Sequence, residues 1–219
     1  MRQLLEQLPE HGLRAVGLSI DDFYLTREEQ LRVAAEHPGN PYLEHRGYPG
    51  THDVELGVRT LDALRGLGDQ SIQLPRYDKS AHGGRGDRAP ESEWTSVTGP
   101  LDLVFLDGWM LGFEPVPDSR LPDPGLVPPN RALASYAQWL ERLDAFVVLR
   151  AKDPNYVLRW RVQAEENMKA EGKPGLSREA IEDYIRRFLP AYDTYRVNPS
   201  RFADRLLEIV IDEDRRPIT

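Results

Sequence analysis

The sequence contains no cysteine, which excludes a disulfide, a thiolate zinc site and a cysteine nucleophile. It has no run of about 18 apolar residues, and its first residues lack the apolar stretch of a signal peptide. The net charge of −8 argues against a general binder of nucleic acid or of anionic membranes, since both need a positive field. These absences predict a cytoplasmic protein that binds neither nucleic acid nor membrane.

The composition predicts a folded chain of limited size. Hydrophobic residues make up 40% and charged residues 29%, as expected for a packed core rather than wholesale disorder. A length of 219 residues suits one large domain, or one domain with a small lid. The five histidines show no HExxH-type spacing, so we assign no zinc site.

Short apolar runs end in carboxylates at two places. Arg14 to Ile20 ends in Asp21-Asp22, and Leu101 to Leu106 ends in Asp107-Gly108. A third run spans Phe146 to Leu149, and a last short strand is predicted at residues 209–211. Helical patterns separate the runs, which predicts an α/β fold with a mainly parallel sheet and helical cover. Helices are predicted at residues 27–36, from the Asp53 cap to Gly66, at about 131–142, at 155–170, and after a cap at Ser177.

Both carboxylate endings have two interpretations. Adjacent Asp21 and Asp22 repel each other unless a cation or a proton is nearby, so one could be a base and the other a metal ligand. The alternative is that the pair begins a helix, where carboxylates are also favoured, and the local pattern does not choose between the two. Asp107-Gly108 has the form of a Walker B strand, whose carboxylate orients magnesium beside phosphates, although many buried strands end in Asp-Gly turns.

A polar, glycine-rich segment from Pro75 to Pro100 concentrates positive charge and is expected to be irregular. Its arginines and lysine are suited to hold an anionic substrate by forked hydrogen bonds, and the alternative is a solvated loop. Arg159 and Arg161 lie on different faces of a predicted helix. They fit either a lid that closes over phosphates or surface salt bridges.

Six collinear stretches resemble one family, the D-glycerate 3-kinases of plants, fungi and cyanobacteria, which are relatives of uridine kinase, phosphoribulokinase and bacterial pantothenate kinase. The resemblance covers nearly the whole chain. The stretches are SIDDFYLT (19–26), RGYPGTHD (46–53), PRYDKSA (75–81) with GRGDR (84–88), GWMLGF (108–113), YVLRWRVQAE (156–165) and GKPGLS (172–177).

The resemblance implies a P-loop NTPase-type fold, a parallel sheet with helices on both faces. It implies transfer of the γ-phosphoryl group of ATP to the 3-hydroxyl of D-glycerate, with Mg²⁺ as cofactor and a monomeric protein. It further implies one P-loop-kinase-like domain over residues 1–219, with a substrate and lid region at about 37–100 and a lid helix at about 155–171.

The resemblance also implies residue roles. Asp21 matches the aspartate that accepts the hydroxyl proton, and Asp22 is its neighbour for metal or substrate. Asp107 stands where relatives usually carry Glu, as a ligand of the metal shell. Candidates for glycerate and phosphate contacts are Arg46, His52, Tyr77, Lys79, Arg85 and Arg88, and candidates for the lid are Arg159 and Arg161.

One departure from the family is large, because the sequence contains no GxxxxGK[ST] phosphate loop. By resemblance, the first strand is also missing from between the Asp107 strand and the Phe146 strand, which predicts two strand edges without a partner. We therefore expect the sequence to begin inside a longer gene product. Two hypotheses follow: a kinase whose 219-residue form lacks its nucleotide loop, and a catalytically silent binding module with the kinase fold.

Overall fold

The computed structural model describes residues 1–153, 155–170, 172, 178–195, 197 and 202–218. These residues form two compact units, Met1–Arg142 and Leu143–Thr219. The single domain expected over residues 1–219 stays a prediction. Over the part of the chain that the structure describes, no helix combines the length and apolar character needed to cross a membrane.

The first unit contains most of the helices and strands. Its helices are α1 (Arg2–Gln7), α2 (Arg27–Glu36), α3 (Val54–Arg65), the single turn α4 (Ala81–Gly84) and α5 (Val127–Leu140). Its strands are β1 (Ala15–Ser19), β2 (Ser71–Leu74), β3 (Tyr77–Asp78), β4 (Asp87–Arg88), β5 (Thr95–Thr98) and β6 (Leu103–Asp107). The second unit contains β7 (Phe146–Ala151), α6 (Tyr156–Ala170), α7 (Arg178–Thr194) and β8 (Leu206–Ile211).

The strands pair in twos. β1 runs parallel to β6 with Ser19 opposite Asp107, and β7 runs parallel to β8. β2 pairs with β5 and β3 with β4, both antiparallel. Among the described residues, β6 bonds to β1 alone and β7 to β8 alone, so the two edges that the sequence predicts to lack a partner are unpaired here.

Local signals place α2 and α3 where they were predicted. Thr26 caps α2 through a reciprocal box with Glu29, whose carboxylate accepts from the Thr26 N–H at 2.8 Å. Asp53 caps α3 by accepting from the Leu56 N–H at 2.9 Å. Caps of this kind stabilise a helix by about 1 kcal/mol each.

Two sequence expectations about the first unit were wrong. α5 begins at Val127 rather than near Arg131, because Pro128 and Pro129 occupy first-turn positions where proline costs no hydrogen bond. The segment from Pro75 to Pro100 is not irregular, since it contains β3, α4, β4 and β5.

A close approach explains the ordered turn between β3 and β4. A Cβ at Gly86 would lie 2.5 Å from the Tyr77 ring, and Gly86 has a φ of 80°, so only glycine fits there. A glycine that contributed to the prediction of an irregular segment therefore builds the turn. Ser177 and residues 173–176 of the sixth stretch lie outside the described residues.

Packing of α5 on α3 fixes the carboxyl end of β1. Trp139 of α5 is fully buried, and its indole N–H donates to the Val54 carbonyl at 2.9 Å. Trp139 also lies against Phe23, with ring centroids 5.6 Å apart.

Ile20 and Phe23 are fully buried, and they anchor the segment that carries Asp21 and Asp22. A Cβ at Gly108 would lie 2.7 Å from Ile20, so the end of β6 passes closely by this segment.

Candidate active site

The two adjacent carboxylates have different tasks. β1 leads into a short 3-10 helix, Ile20–Phe23, whose cap is Ser19. The Ser19 hydroxyl accepts from the Asp21 N–H at 3.2 Å, and the Asp22 carboxylate accepts from the Ser19 N–H at 3.2 Å. Asp22 thus serves the helix N-terminus, which was one of the two interpretations, and leaves Asp21 to contact other groups.

The protonation of Asp22 reflects its position. Burial raises the pKa of Asp22, and the negative charge of Asp21 raises it further. Backbone hydrogen bonds from Ser19 and Tyr77 and the positive charge of Lys79 oppose that rise. A carboxyl that holds its proton more tightly reduces the repulsion between the two aspartates.

Asp21 makes an ion pair with a residue of the basic loop, the positively charged segment at residues 76–88. The Lys79 ammonium donates to Asp21 Oδ2 at 2.5 Å, although the two residues lie 58 positions apart in sequence. The Lys79 side chain is 58% exposed and that of Asp21 is 25% exposed. The predicted base and a predicted substrate-binding cation therefore meet at the carboxyl end of β1.

Arg46 organises the loop that carries Lys79. Its guanidinium donates to the carbonyls of Gly84 at 3.0 Å, of Arg85, and of Lys79 at 3.4 Å. The same group lies 5.5 Å from the centre of the Tyr77 ring, within cation–π range. Arg46 and Tyr77 are thus part of the loop's framework.

Arg88 joins the other end of the loop to two neighbouring segments. It donates to the Tyr24 carbonyl at 3.0 Å and to Asp53 Oδ2 at 3.2 Å, and its side chain is only 16% exposed. The adjacent Asp87 accepts from the Arg27 N–H at 2.8 Å, at the start of α2. The basic loop is therefore held against the N-termini of both α2 and α3.

His52 is buried beside this cluster. It is 5% exposed, and its ring stacks on Tyr24 with centroids 4.3 Å apart. Nδ1 lies 2.9 Å from the Tyr136 hydroxyl, and Nε2 has no hydrogen-bond partner among the described residues. Burial lowers the pKa of His52 to about 3, against the opposing charge of Asp21, so the ring is neutral near pH 7.

Of the remaining predicted cations, Arg85 and Arg159 are exposed and Arg161 is half-buried. The Arg85 guanidinium contacts the ring of His45. In the second unit, Arg159 pairs with Glu213 and lies 3.8 Å from Asp214, and Arg161 pairs with Glu165 one helical turn away. Both lid candidates thus make salt bridges. That of Arg159 lies at the surface, as the alternative interpretation expected, whereas Glu165, the partner of Arg161, is buried. The lid role of both arginines stays a prediction.

Asp107 lies at the same edge as the acidic pair. It ends β6 opposite Ser19, and neighbouring strands lie about 4.8 Å apart. Within the described part of the chain, no group of three or more histidine and acidic side chains converges to hold a metal ion. One or two carboxylates nevertheless suit Mg²⁺, which keeps several waters and binds substrate phosphates. Asp107, with Asp22 as a second oxygen donor, fits that pattern.

A mostly apolar cleft of about 520 Å³ lies at the opposite end of β1. Its lining includes Leu13, Arg14 and Val16 from the start of the strand, together with Val97 and Leu101. The acidic pair follows the other end of β1, so this cleft is separate from the cluster of charged residues.

Sequence reasoning missed Tyr136. It accepts a hydrogen bond from the Gly50 N–H at 2.9 Å and contacts His52, 84 positions away. A tyrosine within the apolar pattern of α5 gives no sequence signal for this contact, because core tyrosines look the same.

Comparison with known proteins first defines the fold. Phosphoribulokinase from Rhodobacter spheroides superposes with a TM-score of 0.50 at 16% identity, over 96% of this chain and 65% of that one. That likeness concerns the fold alone, and it confirms the predicted α/β fold of the P-loop kinases. No family model matches the chain.

Two closer relatives define the family. The chloroplastic D-glycerate 3-kinase of Arabidopsis thaliana is 45% identical over 94% of this chain and 47% of the relative, so the chain spans about half of that protein's length. The D-glycerate 3-kinase of Cryptococcus neoformans superposes with a TM-score of 0.87 at 32% identity, over 99% of this chain and 82% of that one. The chain belongs to the D-glycerate 3-kinase family, as its motifs predicted.

Proposed function

We propose that this chain carries the acceptor site of an ATP-dependent kinase that phosphorylates the 3-hydroxyl of D-glycerate. The observation that carries the proposal is the contact between Asp21 and Lys79 at the carboxyl end of β1, where α/β folds bind their ligands. A base for an alcohol and a cation for an anionic acceptor are thereby adjacent. Family membership supplies the identity of the acceptor.

The proposed chemistry needs few groups. Asp21 accepts the proton of the 3-hydroxyl as that oxygen bonds to the γ-phosphorus, and the bond from this phosphorus to the bridging oxygen breaks to release ADP. Lys79 and Arg85 are proposed to bind the glycerate carboxylate, since both are exposed on the loop. Arg46, Tyr77 and Arg88 hold that loop in shape.

The residues present offer ligands for Mg²⁺ but no phosphate loop for the nucleotide. We propose that Asp107, with Asp22, holds Mg²⁺ through water and phosphate oxygens, and that Arg159 and Arg161 of α6 belong to the phosphate side. The 219 residues contain no GxxxxGK[ST], so they supply no such loop for the β- and γ-phosphates of ATP. We therefore do not expect turnover by the 219-residue chain alone.

That missing motif also favours a second candidate function. A chain with an acceptor pocket but no phosphate loop could be a catalytically silent module that binds a small hydroxy acid. The two candidates share the acceptor site and differ in whether that site transfers a phosphoryl group once a phosphate loop is supplied.

A thermal-shift titration of the 219-residue chain tests the proposal. D-glycerate at about 100 times its dissociation constant should stabilise the fold by about 2.7 kcal/mol, a shift of several degrees. L-glycerate and lactate serve as matched controls for configuration and for the 3-hydroxyl. A thermal midpoint that D-glycerate does not change would overturn the proposal of an acceptor site.

A coupled assay for 3-phosphoglycerate then separates the two candidates. The assay compares the 219-residue chain with the same chain fused behind the phosphate-loop segment of a fungal relative, each with MgATP and D-glycerate. Turnover by the fusion that Asp21→Asn abolishes supports the kinase role of Asp21. D-glycerate binding with no turnover by the fusion supports the silent module.

A further inference from the structure

The Tyr136 hydroxyl defines which nitrogen of His52 carries the proton. The Tyr136 oxygen accepts from the Gly50 N–H at 2.9 Å, and the backbone N–H of His52 also acts on it. Burial raises the pKa of Tyr136, so the phenol keeps its own proton. With its lone pairs directed at N–H groups, that hydroxyl can only donate, and its partner is His52 Nδ1 at 2.9 Å.

A neutral imidazole that accepts at Nδ1 must carry its proton on Nε2. Nε2 is buried and bonds to no other described residue, so the structure contains an N–H donor without an acceptor. Buried donors without partners are rare in folded proteins and call for an explanation. The stack on Tyr24 and the edge contact with Trp139 keep the ring from turning to find one.

Asp21 is the acidic group whose charge acts on His52. The segment of His52 runs beside that of Asp21, because Asp53 N–H donates to the Phe23 carbonyl at 2.7 Å and Leu25 N–H donates to the Thr51 carbonyl at 3.0 Å. Asp21 Oδ2 is bound by Lys79, and no described residue donates to Oδ1. The buried donor and a carboxylate with an unused oxygen therefore occupy neighbouring segments.

We propose that Tyr136 is a positioning residue: it fixes the Nε2–H tautomer of His52, and this N–H orients the Asp21 carboxylate once Lys79 turns to an anionic ligand. The order of events follows from the geometry. Lys79 is exposed and can move, whereas His52 and Tyr136 are buried and fixed. The inference rests on the proposed function only through the role of Asp21 as the base.

Nuclear magnetic resonance of the 219-residue chain labelled with ¹⁵N at histidine tests the tautomer without any ligand. Signals of His52 are assigned by their loss in His52→Gln. We expect a single tautomer with a protonated Nε2 in the wild type, and mixed tautomers with converging ¹⁵N shifts in Tyr136→Phe. Tyr42→Phe is the matched control, since it removes another buried phenol that donates to Asp123 at 2.7 Å, and it should leave His52 unchanged. A protonated Nδ1 in the wild type would overturn the inference.

Lys79→Met tests the second part of the proposal, the hydrogen bond from His52 Nε2–H to Asp21. It provides an independent test if Tyr136→Phe fails to fold. Removing the exposed ammonium should let Asp21 accept from His52, so the Hε2 proton should move downfield with no ligand added. An unmoved Hε2 would overturn the link to Asp21. D-glycerate added to the wild type should cause the same downfield shift. If D-glycerate neither binds nor shifts Hε2 while Lys79→Met does shift it, the proposed function fails and this inference stands.

Discussion

The cations of the basic loop in the first unit and the exposed cations of the second unit have different partners. In the first unit, Lys79 contacts the predicted base, and Arg88 is largely buried between Tyr24 and Asp53. In the second unit, Arg159 and Arg150 pair with acidic side chains at the surface. Burial decides what each pair contributes, because a desolvated ion pair is costly to break and an exposed one is screened by water.

The comparison separates structural cations from candidate ligand-binding cations within the same loop. Arg46 and Arg88 donate to backbone carbonyls and to a helix cap, so they hold the loop in place. Among the described residues, the exposed side chains of Lys79 and Arg85 contact Asp21 and His45, and a ligand could displace both contacts. A family motif marks all four residues alike, and only their partners distinguish the two roles.

The largest expected effect is on the pH dependence of stability, and it comes from His52. Burial lowers the pKa of His52 to about 3 from 6.5. Between these values the unfolded chain binds a proton that the folded chain does not. The free energy of unfolding should therefore fall by about 1.4 kcal/mol per unit as pH drops from about 6.5 towards 3.

Urea unfolding at a series of pH values measures that slope. His52→Gln should flatten it, because the substituted side chain does not titrate. The exposed His11, changed to Gln, is the matched control and should reproduce the wild-type curve. Equal slopes for the wild type and His52→Gln would contradict the buried neutral histidine.

Arg88→Met should give the next largest loss. It removes the charged donor to Asp53 Oδ2 and to the Tyr24 carbonyl in a partly buried place, which should lower the free energy of unfolding by about 2–3 kcal/mol. Equilibrium urea unfolding measures the change. A loss below about 0.5 kcal/mol, the range of an exposed pair, would erase the distinction between buried and exposed ion pairs.

Much of the fold was predictable because its signals are local. The capping box of Thr26 and Glu29, the Asp53 cap and the apolar run before Asp107 each act within a few residues, and all three are present. The short strands β3 and β4 were missed, since two residues are too few to show alternation. The prolines at the start of α5 led to a predicted helix start near residue 131, although the first turn of a helix permits proline.

The sequence predicted which residues belong to the candidate site but not which of them contact each other. The motifs pointed to Asp21, Lys79 and His52, yet nothing in the sequence shows that the first two touch across 58 positions. Tyr136 and its contact with His52 were missed for the same reason. The contact of Tyr136 with His52 follows from how α5 packs near the start of α3, and such packing depends on the whole core rather than on a local pattern.

Lys79→Met should change ligand binding more than it changes the fold. The lost cation should weaken the binding of D-glycerate by about tenfold, or about 1.4 kcal/mol. The thermal midpoint without ligand should stay near that of the wild type, because the Lys79 ammonium is exposed. Isothermal titration calorimetry measures the affinity. Unchanged affinity would move Lys79 from the ligand-binding cations to the structural ones.

Arg150→Met should have the smallest effect and completes the comparison. Arg150 pairs with Glu208 across β7 and β8 at 2.5 Å, but the two side chains are 62% and 46% exposed. Water and salt screen such a pair, so its loss should change the free energy of unfolding by less than about 0.5 kcal/mol. Unfolding in low and high salt measures the change. If Arg150→Met destabilised the chain as much as Arg88→Met, exposure would not decide what an ion pair contributes, and the geometry of each pair would have to do so.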